Sequence, residues 1–216
     1  MALTEIPAET SGVAAAAARF PTATLHEAAG RVGDLPPEIK PVGPLFRVAG
    51  PAYPVRSPAG SNLHLHHAIR RAAPGDVLVV DVGSGYDWGY WGEILSEAAR
   101  AADLGGLVID GCVRDRAELL SVGFPVFARG LCIRGTEKLT GGGTLGEEIQ
   151  VGRVTVKAGD IVVGDVDGVV VLDREAAPEI VAAAADRERK EQDIITAIKS
   201  GTSTIDLYGF PPVEEA

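Results

Sequence analysis

Cysteine, positive charge and long apolar runs are all scarce in this chain, and each scarcity excludes something. Two cysteines in 216 residues, Cys112 and Cys132, are too few for a disulfide framework. Both stand in apolar surroundings and read as reduced thiols. Cys112 precedes Arg114 by two positions, but no third group marks it as a nucleophile. Lys and Arg number 20 against 30 Asp and Glu, a net charge of -10. A phosphate backbone would be repelled by such a chain, so no nucleic-acid partner is expected. The densest basic stretch, Arg187 to Lys190, is interleaved with acids and reads as a solvated helix face. No apolar run approaches the length of a bilayer span, so no membrane partner is expected either. The first residues lack a basic region followed by an apolar core, and Val13 to Ala18 reads as an alanine-rich helix start. The expected location is cytoplasmic. What is present, 46% hydrophobic and 23% charged residues, is ordinary for a globular protein, and the length suits one well-buried domain, expected over residues 1-216.

Local patterns predict alternating strands and helices. The first 35 residues read as two short helical pieces broken at Pro21, with Thr22-Ala23-Thr24 as a cap. Leu45 to Val48 and Ala52 to Val55 read as two strands around Gly50-Pro51. Asn62 to Arg71 has helical spacing, Val77 to Val82 is an apolar strand, and Trp91 to Leu104 is a helix with Ile94, Leu95, Ala98 and Ala102 on one face. Leu107 to Ile109 is a strand, Asp110-Gly111 a turn, Arg116 to Val122 a short helix and Phe124 to Ala128 a strand. Ile149 to Val156 alternates as one strand does. Ile161 to Val163 and Val169 to Leu172 flank Gly164-Asp165-Val166-Asp167-Gly168 as a hairpin, and a long helix runs from near Arg174 to Lys199. Alternation in the middle and a hairpin plus helix at the end predict a mixed α/β fold.

Several motifs fail on inspection. After Gly83-Ser84-Gly85 the third glycine of a dinucleotide fingerprint would fall at Trp88, whose side chain blocks approach to a pyrophosphate. Gly141-Gly142-Gly143 lacks the Lys-Ser or Lys-Thr of a phosphate loop, and Asp165-Val166-Asp167-Gly168 lacks the spaced ligands and distal Glu of a calcium loop. His64, His66 and His67 have no HExxH pattern or nearby cysteine to complete a zinc site, so structural roles are expected. Among the lysines only Lys138 is a candidate Schiff-base former, the others sitting in polar or connector contexts.

The run Gly106 to Glu118 carries the chemistry. A buried strand leads to Arg114-Asp115 where a helix begins. A guanidinium there grips a carboxylate through two parallel hydrogen bonds, and the neighbouring carboxylate holds a hard divalent cation. A helix-capping Asp beside a surface Arg is the plainer alternative. The stretch strongly resembles the RraA-like family, whose enzymatic branch contains metal-dependent 4-hydroxy-4-methyl-2-oxoglutarate and 4-carboxy-4-hydroxy-2-oxoadipate aldolases. In that branch an acid precedes the Arg-Asp pair by twenty intervening residues and another follows three positions after the Asp; here these are Glu93 and Glu118. Further matching pieces are Asn62-Leu63-His64-Leu65-His66, Pro74 to Asp81, Gly123 to Gly130, Gly159 to Val171 and Ile205 to Gly209. Asn62 matches a polar residue near the family's active site, where Asp usually precedes it; here Ser61 does.

The resemblance implies an α/β/α swivelling fold with a C-terminal hairpin and long helix, assembled as a homotrimer or homohexamer. It implies a carbon–carbon lyase, an aldolase cleaving a 4-hydroxy-2-oxo acid to pyruvate and a second carbonyl compound. Arg114, Asp115 and Glu93 would be catalytic. Gly92, Glu93, Ile94, Leu95 and Arg114 would bind the 2-oxo acid. Asp115 would hold Mg²⁺ or Mn²⁺ directly, with Glu93 and Glu118 acting through water. Oxaloacetate decarboxylation passes through the same pyruvate enolate and is the first runner-up. A non-catalytic regulator that binds a ribonuclease is the alternative from another class.

Both tryptophans and two of four tyrosines fall in Tyr86-Asp87-Trp88-Gly89-Tyr90-Trp91-Gly92-Glu93. Buried there, their polar ends need partners. The density fits either a subunit anchor or a wall for the substrate.

Overall fold

Three parallel crossovers organise the molecule. The computed structural model describes residues 8–213, so the first seven residues of the stretch expected to be helical lie outside it. In chain order the elements are α1 (Ala8–Ala17), α2 (Thr22–Ala28), β1 (Lys40–Pro41), β2 (Val48–Arg56), α3 (Leu63–Arg71), β3 (Val77–Asp81), α4 (Glu93–Ala101), β4 (Gly106–Val113), α5 (Arg116–Val122) and β5 (Val126–Leu131). There follow β6 (Thr144–Leu145), β7 (Ile149–Val151), β8 (Val154–Val156), β9 (Ile161–Asp165), β10 (Gly168–Leu172), α6 (Ala177–Lys199) and α7 (Thr204–Tyr208). Strands β2, β3, β4 and β5 are parallel neighbours joined through α3, α4 and α5. The whole sheet runs β1-β5-β4-β3-β2-β9-β10, with β6 also paired to β2.

The sheet is nearly a closed barrel. Leu35 N–H donates to Val169 O at 3.0 Å and Val171 N–H to Gly33 O at 2.9 Å, so the segment entering β1 covers the free edge of β10. Val77, Val79, Val108, Phe127, Val162 and their neighbours pack inside, and the β7–β8 hairpin adds Ile149, Val151 and Val156. Leu78, Val80, Leu107 and Ile109 point outward to α3, α4 and α5. Ile161, Val163, Val170 and Leu172 point to α1, α2 and the first half of α6. Alternation along each strand thus feeds an inner and an outer layer, and a mixed α/β architecture with a long C-terminal helix follows.

Charge closes one end of the inner layer. Asp81 and Asp110 are register partners on β3 and β4, and both are buried. Arg56 Nη2 pairs with Asp81 Oδ2 at 2.8 Å; Arg129 pairs with Asp110 and, at 3.4 Å, with Glu38. Burial raises the Asp110 carboxyl above its ordinary value, and Arg129 opposes that rise. Two arginines flanking two acids let a like-charged pair persist in the sheet.

Several local expectations are revised. Positions 45–55 hold one strand, β2, because its first half pairs with β9 and its second with β3; Leu45 lies outside it, exposed. Strand β4 continues past Asp110-Gly111 through a bulge to Val113, which moves the turn to Arg114-Asp115. Helix α4 begins at Glu93 and is phased by Leu95 and Ala99, leaving Ile94 78% exposed. Ile149 to Val156 folds back at Gly152, whose φ of 58° makes the turn between β7 and β8. Thr22 starts α2, but its N–H and Oγ donate to Asp165 at 2.9 and 2.7 Å and pin the helix to the β9–β10 turn. Among the described residues no helix is long and apolar enough to cross a membrane.

Asp76, at the entrance to β3, gives a pH test of this packing. Burial pushes its carboxyl up to about 6, against the 2.8 Å bond that Oδ2 accepts from Ala73 N–H. An unfolded Asp titrates near ~3.9. The folded state therefore holds the proton more tightly, and stability falls as pH rises between those two values. Asp76→Asn cannot ionise and keeps an acceptor for Ala73. It is expected to be more stable than the parent above pH ~6, by on the order of 2 kcal/mol, with the difference vanishing toward pH ~4. Urea unfolding at both ends of that range measures it.

Candidate active site

Where β4 ends, the preceding chain runs beside it. Tyr90 N–H donates to Cys112 O at 3.0 Å and Arg114 N–H to Trp91 O at 2.9 Å, so Gly89 to Trp91 lie in register with Cys112 to Arg114. The chain then turns at Gly92 into α4, while β4 turns at Asp115 into α5. Both helix starts consequently meet at one place.

Asp115 stands at φ 58°, ψ 46°, a left-handed conformation that a β-carbon makes costly, and it occupies the N-cap of α5 without a side-chain cap bond. Its carboxylate turns instead to the neighbouring helix. Oδ2 accepts from Glu93 N–H at 3.3 Å and lies 3.6 Å from Arg114 Nε. The plainer reading, a carboxylate committed to capping its own helix, therefore does not describe it. A methyl group on Gly92 would overlap Asp115 Oδ2 and lie 3.3 Å from Arg114 Cγ. Gly92 has fully extended backbone (φ -159°, ψ -162°), so space and not dihedral freedom demands glycine there. At Gly89 a methyl would overlap Cys132 O and sit 3.1 Å from Arg114 Cβ. The Arg114 side chain thus lies over the Gly89–Gly92 backbone.

Of the residues expected at the site, Arg114, Asp115 and the Glu93 backbone are in contact. The Glu93 and Glu118 side chains are exposed and make no hydrogen bond or ion pair among the described residues. Leu95 turns inward at 5% exposure, so only its backbone faces the site, and Ile94 points to solvent. The Ile94 and Leu95 N–H groups are orphan donors of the first turn of α4. Arg114 and Asp115 are 44% and 40% exposed, on an open face. A polar cleft of about 300 Å³ lies elsewhere, lined by Arg56, Thr144, Glu147, Glu148, Gln150 and Thr155.

The segment Arg134 to Lys138 borders this face, and of it only Lys138 stood out in the sequence. Gly89 N–H donates to Arg134 O at 2.8 Å, Glu137 N–H to Gly60 O at 2.7 Å, and Ser61 pairs in parallel with Glu137. Lys138 Nζ donates to Asn62 Oδ1 at 2.6 Å, and Asn62 Nδ2 to Tyr90 O at 2.8 Å. Lys138 is exposed and the Asn62 side chain is spent on Lys138 and Tyr90, so the pair braces the loop before α4. Spacing alone does not reveal this pairing; it exists only in the fold.

The aromatic stretch separates into two kinds. Tyr90 and Trp91 are core residues: Tyr90 Oη donates to Gly85 O and accepts from Gly60 N–H, and Trp91 Nε1 donates to Ser96 Oγ at 2.7 Å. Tyr86 and Trp88 reach the surface, Tyr86 under the Arg129 guanidinium (4.4 Å) and Trp88 under that of Arg134 (5.4 Å). Cys112 is half-buried with its thiol pushed up by burial and by Cys132, which disfavours a thiolate nucleophile. The histidines do not converge: His64 is buried, and burial lowers the pKa of its imidazole, while His66 and His67 are exposed. No group of three or more His, Cys, Asp or Glu among the described residues is arranged as a metal cage. Asp115, with one carboxylate oxygen free of hydrogen bonds, Glu118 in the first turn of its own helix and Glu93 in the first turn of the adjoining one, fits a hard ion that keeps most of its waters.

Comparisons with known proteins identify the family and the fold. A family model described as RraA-like, Aldolase/RraA, matches residues 22–171. A Halalkalibacterium halodurans protein with the provisional name 4-hydroxy-4-methyl-2-oxoglutarate aldolase is 31% identical over 189 residues, covering 88% of this chain and 90% of that one. Among solved structures, an uncharacterized protein from Pseudomonas syringae pv. tomato superposes with a TM-score of 0.77 at 29% identity, over 89% of this chain and 94% of that one. Streptomyces coelicolor RraAS2, described as an unusual member of the RNase ES inhibitor RraA protein family, superposes with a TM-score of 0.74 at 26% identity, over 84% and 94%.

The contact between positions 92 and 115 is directly testable. Gly92→Ala is expected to push the Asp115 carboxylate off Glu93 N–H while the core, which does not involve position 92, stays intact. In the parent protein, substoichiometric Mn²⁺ should broaden the amide resonances of Glu93 and Asp115; in Gly92→Ala that broadening should weaken sharply. Equal broadening in both would show that the carboxylate tolerates the added methyl group.

Proposed function

This chain belongs to the RraA-like family, and from that premise we propose that it is a divalent-metal-dependent aldolase cleaving 4-hydroxy-2-oxo acids to pyruvate and a second carbonyl compound. The observation that carries the reading is the Asp115 carboxylate, turned from its own helix toward the start of α4 and the Arg114 guanidinium. Asp115 would hold Mg²⁺ or Mn²⁺, with Glu93 and Glu118 reaching it through water. When bound, the ion supplies Lewis-acid stabilisation of negative charge on the 2-oxo group.

The chain's own residues do the rest. The orphan N–H groups of Ile94 and Leu95 receive the substrate's C1 carboxylate at the positive end of α4. Arg114 lies against the 2-oxo oxygen and balances charge as the C3–C4 bond breaks and its electron pair moves toward C2. The C4 hydroxyl loses its proton as that carbon becomes a carbonyl. Glu93 and Glu118, exposed and without a side-chain partner among the described residues, position a water to accept the proton and to return one to C3. Oxaloacetate decarboxylation uses the same charge balance and is proposed as a side activity. Exposed Ile94, Leu131 and Ile133 near Arg114 support assembly of copies as a homotrimer or homohexamer. They equally suit the protein-binding regulator, which the retained Glu93, Arg114, Asp115 and Glu118 disfavour.

A panel of 4-hydroxy-2-oxo acids and oxaloacetate, assayed for pyruvate, tests the reading. Chelation should abolish turnover and Mg²⁺ or Mn²⁺ should restore it; full activity in excess chelator would refute the metal role. Asp115→Asn should behave as the chelated protein while melting normally. Arg114→Lys keeps the charge and loses the planar fork, so kcat/KM should fall by the equivalent of about 2–4 kcal/mol. Near-native kinetics of the Lys variant would make Arg114 a structural residue.

A further inference from the structure

Arg134 is a guanidinium with a platform and, among the described residues, no acidic partner. Its ring-facing contact is Trp88, 5.4 Å from the indole centroid, within cation–π range. Trp88 is itself held from below: a methyl group on Gly60 would lie 3.1 Å from Trp88 Cε2, so the indole lies flat on the Gly60 backbone. No acid pairs with Arg134 among the described residues, although it is exposed on a chain of net charge -10. Arg19, Arg70, Arg71 and Arg116 likewise have no acidic partner among the described residues, but of these five only Arg134 lies over an aromatic ring.

Its position relative to Arg114 is fixed by backbone. Gly89 is held between the two, bonded to Arg134 O and packed under the Arg114 stem. The Arg114 side chain starts beside Asp115 and Gly92, crosses Gly89, and ends with Nη1 3.6 Å from where a methyl on Gly135 would be. Asp115, Arg114 and Arg134 therefore follow one another along one face, in that order. A substrate whose oxo-acid head lay at Asp115 and Arg114 would meet the Arg134 segment next if it extended along the Arg114 side chain.

We propose that Arg134, propped on Trp88, is a specificity-determining residue that binds the distal carboxylate of the substrate, and so selects dicarboxylic 4-hydroxy-2-oxo acids over monocarboxylic ones. This rests on the aldolase reading for the orientation of the substrate. Arg134 touches the ligand, and Trp88 positions Arg134. Trp88 is half-buried, packed on the core along one side, and its other side orders a long side chain that would otherwise lose rotamer freedom on binding.

The test compares 4-hydroxy-4-methyl-2-oxoglutarate with 4-hydroxy-4-methyl-2-oxopentanoate, which differ in whether the far carbon is a carboxylate or a methyl group. In Arg134→Ala the ratio of kcat/KM for the first over the second should fall about tenfold, chiefly through KM, as expected for one charge-assisted hydrogen-bonded pair at an exposed site. Trp88→Ala should lower the ratio in the same direction by less, and Trp88→Phe should recover most of it. Equal losses on both substrates, or an unaltered ratio, would overturn the assignment. Calorimetry with 2-oxoglutarate and 2-oxobutyrate separates it from the aldolase reading. If the parent protein cleaves neither substrate but binds 2-oxoglutarate more tightly, and Arg134→Ala abolishes the difference, the aldolase reading fails and Arg134 stands. Indifference of the parent to the second carboxylate sinks the Arg134 role whatever the turnover.

Discussion

The approach of two backbones at Gly92 and Asp115 organises everything near the site. Asp115 adopts a conformation costing an L-residue roughly 1–2 kcal/mol, and it persists because β4, the 89–91 segment and α5 fix it from three sides. That conformation aims the carboxylate across the gap at α4 instead of down its own helix axis. Only a residue without a β-carbon at position 92 leaves room for it. The strain and the glycine are two halves of one arrangement, and neither makes sense alone. It is a local sacrifice of stability for orientation.

Much of this was legible in the chain. The strands read at Val77 to Val82 and Leu107 to Ile109, the hairpin around Asp165-Val166-Asp167-Gly168, and the helix at Arg116 to Val122 are all found, as β3, part of β4, β9–β10 and α5. Failures cluster where tertiary contacts overrule local signals. Gly50-Pro51 reads as a break, yet β2 runs through it by changing partners from β9 to β3. Ile94 reads as a core residue by helical spacing, but Leu95, Ser96 and Ala99 carry the buried face of α4 and Ile94 is left in solvent. The Arg114-Asp115 pair could be found in the sequence; Arg134 beside Arg114 could not, because a parallel pairing between the Gly60 and Glu137 segments brings it there.

Buried ionic groups divide the labour of specificity in the body of the fold. Asp165 accepts from Thr22 and from Asp167 N–H with Arg47 nearby; burial raises its carboxyl, and these partners outweigh burial and lower it. Asp110 and Asp81 instead sit side by side, each with its own arginine. The first arrangement ties α2 to the hairpin, while the second sets the register of four neighbouring strands at one end. Hydrophobic packing supplies most of the driving force, but it is tolerant of slippage, and a misaligned strand here would leave a buried charge unpaired.

The strand segment from Gly33 to Leu35 has a consequence for how the protein meets others. By bonding to Val169 and Val171 it occupies the backbone groups that the last strand of the hairpin would otherwise present. A second chain finds no long ribbon of unpaired N–H and C=O groups on which to add a strand of its own. At that edge recognition is left to side chains, whose shape and charge discriminate between partners more sharply than a generic backbone ladder does.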